Sequence, residues 1–192
     1  MTPAEKRYPA DLARAVARGL IDLLEPYCLS GYLCYAGSLR RGKDTVGDVE
    51  ICYVSKIKSL RKPGEMFESP CLLAEAFIQH LLPGKLEMRL SETGGITWGS
   101  RNKLAVHKAT GMPVDLFREP DPADWWRTLV IRTGPKEFNP RLIAAAKRQG
   151  LNLHAYGPAF TRMDTGEVVP CRSEREVFDL CGLEYLEPEE RR

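Results

Sequence analysis

Two short apolar runs each carry a carboxylate where a buried strand should carry none. Val114-Asp-Leu-Phe reads as a strand with Asp115 inside it, and an unpaired carboxylate there would be costly to bury. Val49 to Ser55 reads as a second strand, in which Val49, Ile51 and Tyr53 alternate against Glu50, Cys52 and Val54. Because strand side chains alternate with a period of two, Asp48 and Glu50 point to one side, where they repel unless cations lie between them. If the two strands are neighbours, three carboxylates converge. Oxygen donors of this kind suit a hard divalent ion such as Mg2+, which completes its shell with substrate phosphates, and such a site can hold two ions ~4 Å apart.

Residues 36–50, Ala-Gly-Ser-Leu-Arg-Arg-Gly-Lys-Asp-Thr-Val-Gly-Asp-Val-Glu, supply the other half of a site. Gly37-Ser38 allows close backbone approach, and Arg40, Arg41 and Lys43 bring positive charge to the same neighbourhood, so polyphosphate is the natural ligand.

The surrounding pattern predicts an α+β fold. Residues 10–25 place Leu12, Val16, Leu20, Leu23 and Leu24 on one helical face behind Pro9 and Asp11. Gly31 to Ala36 is a short apolar run closed by Gly37 and followed by a basic loop. Lys56 to Pro70, charged and containing Pro63-Gly64, is expected to be a loop, and Cys71 to Leu82 a helix stopped by Pro83-Gly84. Leu86 to Leu90 and Leu104 to Lys108 read as strands, with Ala109-Thr-Gly-Met as a hairpin turn into Val114. Asp124 to Ile131 and Asn139 to Arg148 read as helices, the second stopped by Gly150. Leu151 to Val169 suggests a hairpin around Asp164-Thr-Gly, and Ser173-Glu-Arg-Glu has capping-box spacing before Val177, Phe178 and Leu180. Glu119-Pro-Asp-Pro interrupts the pattern, which divides the chain into residues 1–120, a mixed sheet flanked by helices, and 121–192, a smaller α/β unit.

Composition narrows the classes. With 28 Lys and Arg against 26 Asp and Glu in 192 residues, the net charge is only +2, which excludes a uniformly basic coat protein. No apolar run approaches the ~20 residues of a membrane helix, and the N-terminal stretch lacks a secretory pattern, so a cytoplasmic compartment is expected. The six cysteines form no C-x-x-C pair and are read as reduced, with Cys34 and Cys52 inside buried strands. Trp125-Trp126 is expected to pack, whereas Trp98, in a glycine-flanked loop, could be presented to a base. Arg141, Lys147 and Arg148 give the Asn139 helix a basic face suited to phosphate.

The segment from Gly37 to Glu50 resembles the nucleotidyltransferase signature of the family X DNA polymerases. Arg132-Thr-Gly-Pro-Lys-Glu-Phe-Asn-Pro-Arg-Leu resembles that family's Phe-Thr-Gly…Phe-Asn segment, and Gly150-Leu-Asn-Leu-His-Ala-Tyr-Gly together with the stretch from Ser173 to Arg191 resembles the end of its thumb. The resemblance implies a nucleotidyltransferase palm followed by a small thumb. It implies Asp48, Glu50 and Asp115 as catalytic residues and ligands of two Mg2+ ions, with Mn2+ as an alternative. It further implies a nucleotide site in which Gly37, Ser38, Arg41 and Gly47 serve the phosphates, Arg132, Thr133 and Gly134 the sugar, and Asn139 the base edge. The expected partners are DNA, as primer–template or gapped duplex, and a dNTP, with no membrane and a monomeric state.

Departures from the family pattern refine these expectations. Glu50 replaces the commoner Asp, Ile131-Arg132 replaces an aromatic pair at the sugar gate, and Met112-Pro113 stands where an arginine commonly precedes the third acid. Sugar discrimination is therefore expected to be relaxed. With 36 residues before Gly37, the expectation is palm and thumb alone. The resemblance implies a cis bond at Gly134-Pro135, which proline makes cheap. The implied function is templated DNA synthesis in gap filling or end repair. The alternatives are an untemplated or RNA-directed nucleotidyltransferase and a silent nucleic-acid-binding module.

Overall fold

The computed structural model describes residues 6–60, 68–91 and 93–191. The chain enters through β1 (Tyr8–Pro9) into α1 (Ala10–Leu24), then passes through β2 (Cys28–Tyr35), α2 (Gly37–Arg40), β3 (Thr45–Val46) and β4 (Val49–Ser55). β5 (Ile57–Leu60) and β6 (Ser69–Leu72) lead to α3 (Leu73–Gly84), β7 (Leu86–Met88), β8 (Asn102–His107) and β9 (Met112–Arg118). Beyond these lie α4 (Trp125–Thr133), α5 (Asn139–Arg148), β10 (Leu151–Leu153), β11 (Phe160–Arg162), β12 (Val168–Val169) and α6 (Glu174–Leu180).

The central sheet has the order β2-β4-β9-β8-β7. β4 and β9 run parallel, while the flanking pairs are antiparallel. The sheet is thus mixed, and the α+β class holds. Val49, Ile51 and Tyr53 on one face join α1 and α3 in a core that includes Ala13, Leu20 and Ile78. Cys52, Val54 and Phe117 on the other face pack against Trp125 and Leu129 of α4. With both faces covered, β4 is buried along nearly its whole length. A third core gathers α5, β10, β11 and α6 around Phe138, Leu142, Phe160 and Phe178. Helix α4 contributes to the second core through Leu129 and to the third through Val130, so it joins the two units rather than belonging to one.

Several expectations are corrected. The buried face of α1 is Ala10, Ala13, Val16, Ala17, Leu20 and Leu24, spaced by three and four residues, and Leu12 lies off this stripe at 39% exposure. Small alanines let the helix lie close to the sheet, a contribution that a leucine pattern misses. The start of the basic loop is helical, since Arg40 and Arg41 donate to the Ala36 and Gly37 carbonyls at 3.2 Å. One turn is too short to show a period. In the expected loop 56–70, Ile57–Leu60 pairs with Ser69–Leu72; β5 is exposed and therefore lacks apolar alternation, and Pro63-Gly64 lies outside the described residues. Cys71 and Leu72 belong to β6, so helix α3 begins two residues later than expected, and it runs through Pro83 to Gly84 rather than stopping before them.

The Asp164-Thr-Gly turn joins β11 to β12, and β10 adds a third strand. Ser173 Oγ accepts from the Glu176 N–H at 3.0 Å, but Glu176 accepts from Arg172 N–H, so only half of the capping box forms as expected. The described cysteines are all free; Cys52 is buried and Cys34 only half-buried. The Gly134-Pro135 bond is cis. No helix among the described residues is long and apolar enough to cross a membrane.

Candidate active site

The parallel pairing of β4 with β9 sets Glu50 directly opposite Asp115. Both residues lie on the sheet face that α4 covers, because they alternate in phase with Cys52 and Phe117. Asp48 stands two residues before Glu50, on the wall of an open cavity of about 430 Å³. Ser38, Arg41, Gly47, Asp48 and Glu50 form one wall of that cavity, and Ile131, Arg132, Gly134 and Asn139 form the other. The structure therefore gathers most of the residues singled out from sequence around one space, from segments as far apart as Ser38 and Asn139.

The electrostatics are those of crowded carboxylates. Burial, with Asp48 and Asp115 acting in the same direction and Arg132 and Arg41 opposing, pushes the Glu50 carboxyl up to about 8. Burial also raises Asp115, against the pull of Arg89 and Arg132. Arg89 Nη2 lies 2.6 Å from Asp115 Oδ1. Met112-Pro113 offers no guanidinium, and the one beside Asp115 arrives instead from the end of β7. Arg132 rests over the Phe117 ring at 3.7 Å, within electrostatic reach of Glu50 and Asp115.

Gly37 plays a different part from the one expected. Its φ is +62°, and a Cβ built there would lie 1.6 Å from Glu50 Oε2. The group that comes close to this glycine is the Glu50 carboxylate, and Gly37 is not on the cavity wall. Arg40 also turns away: it bonds Thr133 Oγ1 at 2.7 Å and forms an ion pair with Glu174, which Arg191 meets at 2.7 Å from the other side. Arg41 stays on the cavity wall while donating to the Thr133 carbonyl. Thr133 is fully buried and holds both arginines; the structure does not bring it to the wall, where only its neighbours Arg132 and Gly134 appear.

Asn139 donates to the Ile131 carbonyl at 3.1 Å, and its Oδ1 is buried without a protein partner. An orphaned acceptor on a cavity wall suits a ligand donor. Trp98 packs partly buried against the first core, so the sequence expectation of a presented ring is not met. Trp125 is buried as expected.

Sequence reasoning missed three residues of this wall: Arg7, Lys136 and Glu137. Arg7 arrives because β1 pairs with β3, and its Nη2 donates to the Thr45 carbonyl at 2.6 Å. Nothing in its local sequence distinguishes it from Lys6. Lys136 and Glu137 fall inside the stretch Arg132–Leu142, where proximity to Gly134 is the available signal.

No three or more His, Cys, Asp or Glu side chains among the described residues are drawn close enough together to hold a metal ion. The donor chemistry nevertheless fits a hard cation: Asp48 and Glu50 line the cavity, Asp115 stands opposite Glu50 across the β4–β9 pair, and the repulsion that Asp48 and Asp115 add to burial at Glu50 is what a cation would relieve.

Residues 128–192 match the family model for the DNA polymerase beta thumb. The chain is similar to DNA polymerase lambda of Rattus norvegicus, with 29% identity over 182 residues, covering 84% of this chain and 29% of that protein. It is also similar to the DNA polymerase/3'-5' exonuclease PolX of Bacillus subtilis (strain 168), with 24% identity over 185 residues, covering 96% of this chain and 28% of that protein. The chain thus spans less than a third of the length of either relative.

Proposed function

We propose that this chain, a family X DNA polymerase-like protein, adds nucleotides from a dNTP to the 3′-hydroxyl of a DNA primer–template or gapped duplex. The observation that carries the reading is the pairing of Glu50, which with Asp48 lines a cavity whose other residues suit a nucleoside triphosphate, directly opposite Asp115 on the neighbouring strand. Ser38, Arg41 and Gly47 hold the β- and γ-phosphates, and Arg7 and Lys136 add positive charge to the same cavity. Ile131, Arg132 and Gly134 line the sugar, and Asn139 offers its free oxygen to the base. The 3′-hydroxyl attacks the α-phosphate in line and pyrophosphate leaves, so the protein's work is positioning and charge neutralisation. Asp48, Glu50 and Asp115 would hold divalent ions, which lower the pKa of the attacking hydroxyl and neutralise the phosphates when bound.

The test offers purified protein, with Mg2+ or Mn2+, three labelled substrates: a primer alone, a primer–template and a one-nucleotide gap, each with deoxy- and ribonucleotides. Extension of the templated substrates is expected, with loss of extension in Asp48→Asn and Asp115→Asn while the unfolding midpoint stays near wild type. Extension of the bare primer alone would make the enzyme untemplated. Near-normal activity in either variant would remove the assignment.

A further inference from the structure

Arg89 and Asp115 lie in one row across the sheet. Arg89 N–H donates to the Leu104 carbonyl at 3.1 Å, continuing the β7–β8 pairing in which Met88 faces Ala105. Leu104 stands opposite Asp115, and Asp115 opposite Glu50. Residues directly opposite on neighbouring strands share a face, so Arg89, Leu104, Asp115 and Glu50 project to the same side. Two strand spacings, about 9.5 Å, separate the Arg89 backbone from that of Asp115. A long side chain is needed to bridge them, and Arg89 does so with its Nη2 at 2.6 Å from Oδ1.

The contact is screened from water: the Arg89 side chain is 25% exposed and that of Asp115 13%. Charge-assisted bonds of this kind are shorter and stronger than neutral ones. The bond takes Oδ1 and leaves Oδ2 for another cation. Arg132, the other cation that acts on Asp115, is committed to the Phe117 ring at 3.7 Å.

Resting on the nucleotide-transfer reading, we propose that Arg89 is a positioning residue for Asp115. It fixes the carboxylate plane and leaves the second oxygen free to serve as a donor to the divalent ion that would activate the primer hydroxyl. The residues assigned to the triphosphate, Ser38, Arg41 and Gly47, lie on other elements. Loss of Arg89 therefore acts on the rate of transfer and on ion affinity, not on nucleotide binding.

The experiment compares wild type with Arg89→Met, which keeps length without charge, and Arg89→Lys, which keeps charge without the planar fork. Two quantities are read: kcat and KM for dNTP on a primer–template, and Mn2+ affinity of the free protein by electron paramagnetic resonance. Arg89→Met should lose about 10- to 100-fold in kcat and in Mn2+ affinity, in the range typical of groups that orient metal ligands, with KM for dNTP unchanged. Arg89→Lys should recover part of both losses. Tighter Mn2+ binding with retained kcat in Arg89→Met would show that Arg89 only competes with the ion, and would overturn the proposal. Unchanged kcat and Mn2+ affinity, with at most a lower melting temperature, would overturn it as well. If wild type extends no substrate yet the Mn2+ affinities differ as expected, the nucleotide-transfer reading falls while the positioning role stands. If wild type is active and the variants match it, the reverse holds.

Discussion

Gly37 meets two constraints at once: a φ of +62° and a Glu50 oxygen 1.6 Å from where a Cβ would stand. A side chain at this position would cost about 1–2 kcal/mol through the left-handed backbone alone, and it would push Glu50 out of line with Asp115. Gly150 shares the backbone constraint, with φ +72°, but has nothing within 4 Å of its built Cβ. Gly37→Ala should therefore lower the urea midpoint and abolish nucleotide addition, whereas Gly150→Ala should lower the midpoint and spare activity. Equal activity in the two variants would mean that the packing of Glu50 on Gly37 is immaterial to the site. The acids themselves were legible in the sequence, because a carboxylate inside an apolar strand requires a reason. The neighbour that each acid leans on was not legible, because a glycine's openness says nothing about which group fills it.

At the level of elements, α6 is held by its first turn. Glu174 is 6% exposed and receives Arg40 from α2 and Arg191 from near the end of the chain, tying α6 to the segment after β2. Burial alone would raise its carboxyl, but the bonds and charges of Arg40 and Arg191 outweigh that and hold it below the ordinary 4.5. A depressed carboxyl contributes stability that is fully present above 4.5 and is lost as pH falls through the folded value, because the unfolded chain then binds the proton more readily. Glu174→Gln leaves two buried or half-buried guanidinium groups uncompensated, and should cost about 3–5 kcal/mol at pH 6. The gap between wild type and variant should narrow by pH 3.5 in urea unfolding. A gap of the same size at both pH values would remove Glu174 from the acid response. The start of α6 was legible from Ser173, whose cap is a local matter. Its attachment to Arg40, 134 residues earlier, was not.

Across the whole molecule, a net charge of +2 leaves little long-range attraction for a polyanion, so the proposed contact with DNA would have to come from local clusters. Arg141, Lys147 and Arg148 stand exposed on α5, whose N-terminal residue Asn139 lines the cavity. Primer–template affinity should fall with salt, and the logarithmic slope should become shallower by about 0.9 for each phosphate contact removed. A triple Gln variant of these residues, titrated by fluorescence anisotropy at several salt concentrations, measures it. An unchanged slope would place the phosphates elsewhere.

Local chemistry in the sequence was enough to determine the α+β class, strand β4 to the residue, the turn at Gly111, the extent of α5 and the placing of Glu50 and Asp115 on strands. Each follows from periods, breakers or the cost of a buried charge, all of which act within a few residues. Only the tertiary structure decided which arginine serves which acid. Arg40 left the expected phosphate loop for Glu174, Arg89 reached Asp115 across two strands, and Arg7 arrived through the β1–β3 pairing. A guanidinium on a long flexible stem carries no local mark of its partner, because its backbone context limits only where the stem begins. Its partner is whichever carboxylate the packing of distant elements leaves within reach.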